Sequence, residues 1–276
     1  MPEPTQGETE FGAPPRALPR IVAVANQKGG VGKTTTAINL ATGVAAVGKR
    51  VLIVDLDPQG NASTGFGIAR AARTVGSYEL LMGFVPLAET VLSAAVPGLY
   101  IVPSTADLAG AEIELIELER RSFRLREALQ PAARGFDYVF IDCPPSLGLL
   151  TINALAAADA VMVPLQCEFF ALEGLSMLMG TIERLRQLYN PGLEIQGIVL
   201  TMFDGRNNLA GQVAADVRDH LGDKVYDTVI PRNVRISEAP SHGTPALLYD
   251  HRCAGSLAYM RLASEMLRRD ARMAAG

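Results

Sequence analysis

The run Gln27-Lys28-Gly29-Gly30-Val31-Gly32-Lys33-Thr34-Thr35 constrains this chain more than any other segment. It lies between an apolar, β-branched stretch at residues 20–26 and an Ala-rich stretch at residues 34–47. The first reads as a buried parallel strand and the second as a helix. Strand, glycine loop and helix together form the setting in which a loop ending G-K-[ST] holds phosphate. The glycines let the backbone close around an anion. The N–H groups of Gly29, Gly30, Val31 and Gly32, with the helix N-terminus, then point at it. Lys33 is placed to reach the β- and γ-phosphates, Thr34 to give its hydroxyl to Mg²⁺, and Thr35 to reach the α-phosphate. A plain Gly-rich turn with solvated lysines would not explain the strand and helix on either side.

The loop departs from the usual G-x-x-x-x-G-K-[ST] pattern in two places. Gln27 stands where the first Gly belongs, and Lys28 is an added cation. A lysine at this point can project away from its own loop, toward a phosphate held by a second subunit. That suggests an ATPase whose nucleotide sits between two copies of the chain.

Two acidic strand ends support this reading. Residues 50–57 form a second apolar strand ending in Asp55 and Asp57, and residues 137–142 form a third ending in Asp142. Ligands of open α/β sheets bind outside the carboxyl ends of strands. Asp142 is placed to hold Mg²⁺ through water. Cys143 follows it, where related ATPases often carry a water-activating Glu, so that role passes to Asp57. Asp57 heads Asp57-Pro58-Gln59-Gly60-Asn61 and can also face the metal through water; the competing reading is a turn-forming Asp before Pro. Asp55 reads as structural.

These segments resemble the ParA/MinD group of deviant P-loop ATPases, and within it the chromosomal, Soj-like ParA partition proteins. The likeness runs from Arg20 to about Arg269. It is carried by residues 26–36 and 54–61, Ile141-Asp142-Cys143-Pro144-Pro145-Ser146 and Pro164-Leu165-Gln166-Cys167-Glu168. Ile230-Pro231-Arg232-Asn233-Val234-Arg235 and Ser237-Glu238-Ala239-Pro240-Ser241 extend it. The resemblance implies an ATP-dependent homodimer with two sandwiched nucleotides. Lys28 would act across the interface, Asp57 would position water, and Pro231 and Asn233 would lie near adenine. Residues 57–61 and 142–150 would sense the γ-phosphate. It also implies slow Mg²⁺-dependent hydrolysis, stimulation by the centromere-binding protein ParB, and ATP-dependent binding of non-specific DNA in a cytoplasmic, nucleoid-associated setting.

The overall charge of −4 does not favour a DNA binder by itself. The charge is uneven, however. Residues 232–269 carry Arg232, Arg235, Arg252, Arg261, Arg268 and Arg269 against Glu238, Asp250 and Glu265. Such a face can bind phosphates by releasing counterions, or can be an ordinary solvated helix face. Arg206 and Arg235 match basic DNA-contacting places in the family, and Arg268 joins them as a candidate. A MinD-like membrane ATPase is the alternative. The C-terminal stretch offers Leu and Met without Phe or Trp, a weak apolar face for an interfacial anchor.

The remaining classes fit less well. Cys143, Cys167 and Cys253 are far apart without C-x-x-C spacing, which argues against zinc, disulfides or a bridging iron–sulfur cluster and suits a reducing compartment. No carboxylate-substrate pocket of a dethiobiotin-synthetase-like ligase is identifiable. No apolar run is long enough to span a membrane, and no secretory pattern is present.

An apolar fraction of 49% suits a large core. Residues 1–19, rich in Pro and Glu, read as a disordered leader, and residues 20–276 as one α/β domain with a doubly wound, mainly parallel sheet. Further strands are expected at residues 99–103, 160–164, 195–201 and 228–230. Helices are expected at 108–129, 147–157, 172–189, 209–221 and 254–268.

Overall fold

A computed structural model of the chain describes residues 18–130, 132–169 and 171–275. The expected leader, apart from Leu18 and Pro19, lies outside the described residues.

The strands are β1 (Arg20–Val24), β2 (Val51–Asp55), β3 (Leu92–Ser93), β4 (Leu99–Val102), β5 (Tyr138–Asp142), β6 (Ala160–Gln166) and β7 (Glu194–Thr201). They form one sheet in the order β3-β4-β2-β5-β1-β6-β7. Every pairing is parallel except that of β3 with β4. Strands buried on both faces need apolar side chains on both, so β1, β2 and β5 read as continuous apolar runs. In β1 the faces divide by alternation. Ile21 and Ala23 enter one core layer, and Val22 and Val24 enter the other.

The helices Leu149–Ala157, Ala171–Leu188 and Asn208–Leu221 cover the first layer. Lys33–Ala46 and Ala254–Ala275 cover the second, with Leu40, Val44, Tyr259, Leu262 and Met266 buried between them. These two helices approach so closely that a Cβ on Gly43 would lie 2.9 Å from the Ala263 methyl group. The sheet order positions the site. The chain leaves β1, beside β5, and returns as β2 on the far side of β5, so the glycine loop opens beside the carboxyl ends of both.

Two expectations are corrected. Residues 108–129 do not form one helix, although Leu108, Ala111, Leu115, Leu125 and Leu129 are buried at helical spacing. Short turns occupy residues 106–117, Leu118 is extended, Arg120 is left-handed at φ 53°, and a helix resumes at Arg124–Leu129. Buried Asn153 explains the break. Its Nδ2 donates to the Arg121 carbonyl at 2.7 Å, and its Oδ1 accepts from the Leu125 amide at 3.2 Å. A continuous helix would have joined those two groups to each other. Residues 228–230 do not form a strand either. The Asp227 and Thr228 amides donate to the Glu265 carboxylate, both at 2.9 Å, rather than to a sheet neighbour. Only isolated bridges, Ile198 with Val225 and Phe203 with Pro231, run along the outer edge of β7.

Candidate active site

The loop after β1 ends on the helix Lys33–Ala46, capped by Gly32 with no side-chain bond to the first amides. Gly30 and Gly32 hold φ values of 73° and 89°, where a Cβ would be strained. Among the described residues, the amides of Gly29, Gly30, Val31 and Gly32 donate to no protein acceptor. Four free N–H groups at a helix N-terminus form an anion cradle. The cradle is braced from below. Val31 is buried, and its carbonyl accepts from the Thr201 hydroxyl at the end of β7, at 2.8 Å. The Lys33 ammonium bridges the loop to the Lys28 carbonyl at 3.0 Å.

Beside the cradle stand three carboxylates. In the sheet register Asp142 pairs with Val24 on one side and Asp55 on the other. Asp55 is fully buried. Its carboxylate accepts from the Ser63 amide at 2.8 Å and the Ser63 hydroxyl at 2.6 Å. Burial outweighs those bonds and pushes its pKa up to about 6. Asp142 is also fully buried, and neither oxygen has a hydrogen-bond partner. Burial raises its pKa well above the ordinary range, the Asp55 charge adds to this, and the nearby Thr34 hydroxyl opposes it. Asp57 is buried at the pocket edge, and its Oδ1 accepts from the Gln59 amide at 3.0 Å.

The Lys33 ammonium is the cation facing this group. Burial lowers its pKa, against the attraction of Asp142 and Asp57. The Arg73 guanidinium offsets part of the Asp55 charge, which leaves Asp142 and Asp57 facing one ammonium. An orphaned carboxylate next to a threonine hydroxyl therefore fits a divalent cation. Among the described residues, no cluster of three His, Cys, Asp or Glu side chains forms a metal cage. A hard cation that keeps several waters and takes oxygens from a bound phosphate suits such a sparse site.

The cleft over the loop has a volume of about 470 Å³. Gly29, Gly30, Gly32, Lys33, Thr34, Thr35, Asp57, Pro231 and Asn233 all line it. These residues, far apart in the chain, meet in this one cleft. Val31 and Asp142 lie beneath the surface, and Lys28 lies outside the cleft. The half-exposed Lys28 ammonium pairs with Glu168 of its own chain. Arg206, Arg235 and Arg268 do not line the cleft. Arg206 is exposed and grips Asp204 through two nitrogens, at 2.9 and 2.8 Å. Arg235 sits on the short helix Val234–Glu238, paired with Glu238 at 3.0 Å and Asp250 at 3.8 Å. Arg268 lies on the C-terminal helix, beside Arg261 in a shallow groove.

Sequence reasoning missed Thr201, Met202, Arg232 and Tyr259, which also line the cleft. Thr201 was findable, since it ends an apolar strand as the acids do. Tyr259 gave no local signal. It joins the site from the C-terminal helix, where its hydroxyl meets Thr36 at 3.2 Å. Cys143 is fully buried, which pushes its thiol pKa up and makes it a poor nucleophile.

A glycine-loop anion cradle at a strand-to-helix turn, inside a doubly wound sheet, defines a P-loop nucleotide-binding protein. An AAA domain family model matches residues 19–195. The chain is 63% identical over 253 residues to the chromosome partitioning protein ParA of Caulobacter vibrioides strain NA1000 / CB15N, covering 91% of this chain and 95% of that one. It is 51% identical over 247 residues to the sporulation initiation inhibitor protein Soj of Bacillus subtilis strain 168, covering 90% and 98%. Among solved structures, a cobyrinic acid a,c-diamide synthase from Mycobacterium smegmatis with a bound ATP analogue and magnesium superposes with a TM-score of 0.80 at 37% identity, covering 91% and 95%. The chain belongs to the ParA family of chromosome-partitioning P-loop proteins.

Proposed function

We propose that this chain is a partition ATPase in which ATP joins two copies, creates a DNA-holding state, and is then hydrolysed to end it. The observation that carries the reading is the unpartnered, fully buried Asp142 beside a cradle of four free amides. That pairing suits a metal–triphosphate. In this reading the loop amides and Lys33 hold the phosphates. Pro231 and Asn233 flank the base. Asp57 orients the attacking water. The Thr34 hydroxyl, with Asp142 and Asp57 through water, would hold Mg²⁺, which would supply compensation for the phosphate charge. Lys28 serves the neighbouring copy. Its place outside its own cleft, on a surface pair with Glu168, supports that division of labour. Exposed pairs of this type are weak enough to exchange for a phosphate.

Arg206, Arg235 and Arg268 form the proposed face for non-specific DNA, and a ParB-type partner would accelerate hydrolysis by completing the site. The setting we propose is cytoplasmic and nucleoid-associated. The MinD-like alternative needs an apolar helix face free to meet lipid. In the C-terminal helix, Ala258, Tyr259, Leu262, Ala263 and Met266 are already buried in the core. No helix of the described residues is long and apolar enough to cross a membrane. The diamide-synthase chemistry of the Mycobacterium protein belongs to a more distant sequence, and the closer relatives above carry partition or Soj names.

Size-exclusion chromatography with Mg²⁺ and ATP tests the assembly. The expected outcome is a dimer only with ATP, a weakened dimer for Lys28→Ala, and a trapped dimer for Asp57→Ala. A monomer at saturating ATP in all three proteins would sink the reading.

A further inference from the structure

Asp57 sits on a loop that touches the nucleotide cleft on one side and Arg73 on the other. The loop runs Asp57-Pro58-Gln59-Gly60 and enters the short helix Asn61–Gly65, which has no side-chain cap. Asp57, Gln59 and Asn61 line the cleft. Gly60 turns the chain at φ 63°, with its amide on the Asp57 carbonyl at 2.8 Å. Its own carbonyl is crowded with donors. It accepts from the Thr64 amide at 3.0 Å, the Thr64 hydroxyl at 2.9 Å and Arg73 Nη1 at 3.2 Å.

All three Arg73 nitrogens are engaged. Nη2 donates to Thr64 Oγ1 at 2.8 Å and to the Ile68 carbonyl at 2.7 Å, and Nε donates to the Ile68 carbonyl at 3.0 Å. None of these acceptors is a carboxylate: the guanidinium holds two backbone carbonyls and one hydroxyl, with the Asp55 charge near enough to favour it. The approach is close. A Cβ on Gly60 would stand 2.4 Å from Nη1. Gly60 therefore serves two needs at once, a left-handed turn and room for the arginine. The far end of the short helix is pinned as well. A Cβ on Gly67 would lie 2.9 Å from the Gly243 carbonyl oxygen, so two backbones touch there.

We infer that Arg73 is a positioning residue for hydrolysis, fixing the Asp57–Asn61 loop from behind so that Asp57 meets the attacking water. The inference rests on the ATPase reading above. A planar fork with donors in fixed directions suits this task, and a lysine ammonium cannot span Gly60, Thr64 and Ile68 together. Arg73 does not line the cleft. Its loss therefore misplaces Asp57 without removing any group that binds ATP, and misplacement by about 1 Å can cost on the order of 10²-fold in rate.

The test compares wild type, Arg73→Ala and Arg73→Lys by phosphate release, by affinity for a non-hydrolysable ATP analogue, and by amide hydrogen exchange over residues 57–65. The expected result for Arg73→Ala is a kcat lower by about 10- to 100-fold, analogue affinity within about threefold, and faster exchange at Gln59–Thr64. Arg73→Lys does not recover the rate, whereas added guanidinium at tens of millimolar partly restores Arg73→Ala. An unchanged kcat in Arg73→Ala, a loss of analogue affinity equal to the loss of kcat, or no guanidinium rescue overturns the inference. Wild type without ATPase activity would instead count against the enzyme reading. In that case unchanged exchange over residues 57–65 in Arg73→Ala would still sink the role given to Arg73.

Discussion

The phosphate cleft and the outer arginines carry charge in opposite ways. In the cleft, groups are buried and left open: Asp142 has no partner, and the loop amides have no acceptor. On the outer face, Arg206 and Arg235 are exposed and already paired with acids of their own chain. An open buried group costs free energy until something fills it, so the cleft announces a ligand. An exposed pair costs almost nothing to make or break, so the outer face is permissive and announces none. The geometry thus argues for ATP and Mg²⁺ far more strongly than for DNA.

The largest expected effect falls in the cleft. Lys33→Ala should lower phosphate release by about 10²- to 10³-fold, measured at saturating ATP. A loss smaller than that of an outer-face substitution would reverse the contrast. On the outer face, Arg235→Glu should cut ATP-dependent DNA retention by more than about tenfold at physiological salt and leave nucleotide binding intact. Unchanged retention would remove Arg235 from the DNA face.

A third substitution lies away from the cleft, in the groove that also holds Arg268, and calibrates the cleft. Glu265→Gln should lower stability by about 1–3 kcal/mol in denaturant titration, with ATP affinity unchanged. Burial alone would raise the Glu265 pKa, but the Thr228 side chain, the Asp227 and Thr228 amides and Arg269 bring it below the ordinary value. Its contribution is therefore present above the unfolded-state pKa and lost as acid takes the pH down through the folded one.

The smallest effect has the opposite sign. Asp55 and Asp142 both have raised folded-state pKa values. The folded chain holds protons that the unfolded chain releases, so nucleotide-free protein should lose stability as pH rises from about 4 through 6. Asp142→Asn should reduce that slope and raise the melting temperature of the nucleotide-free protein by about 2–4 °C. It should also abolish the extra stabilisation by Mg²⁺ with ATP. A lower melting temperature without nucleotide would mean that Asp142 has a structural partner after all.

Most of the site was legible because its parts are local. A glycine loop with its strand and helix is one continuous segment, and apolar strands ending in Asp mark their own carboxyl ends. The unreadable parts depend on partners distant in sequence. The stretch at residues 108–129 keeps a helical apolar period, yet Asn153 takes its central backbone bond. Residues 228–230 look like a strand, yet Glu265 takes the neighbouring amides. Arg73 looks like a surface arginine until its fork closes on Gly60, Thr64 and Ile68.

The amino-acid order alone determined the class of fold, the phosphate loop and the acids facing it, because each is written in short-range spacing and polarity. Only the folded molecule decided which carboxylate stayed unpartnered, where Lys28 rests, and what braces the Asp57 loop. Those outcomes depend on side chains brought together from as far apart as Thr36 and Tyr259, where burial and hydrogen-bond competition act and local pattern has no say.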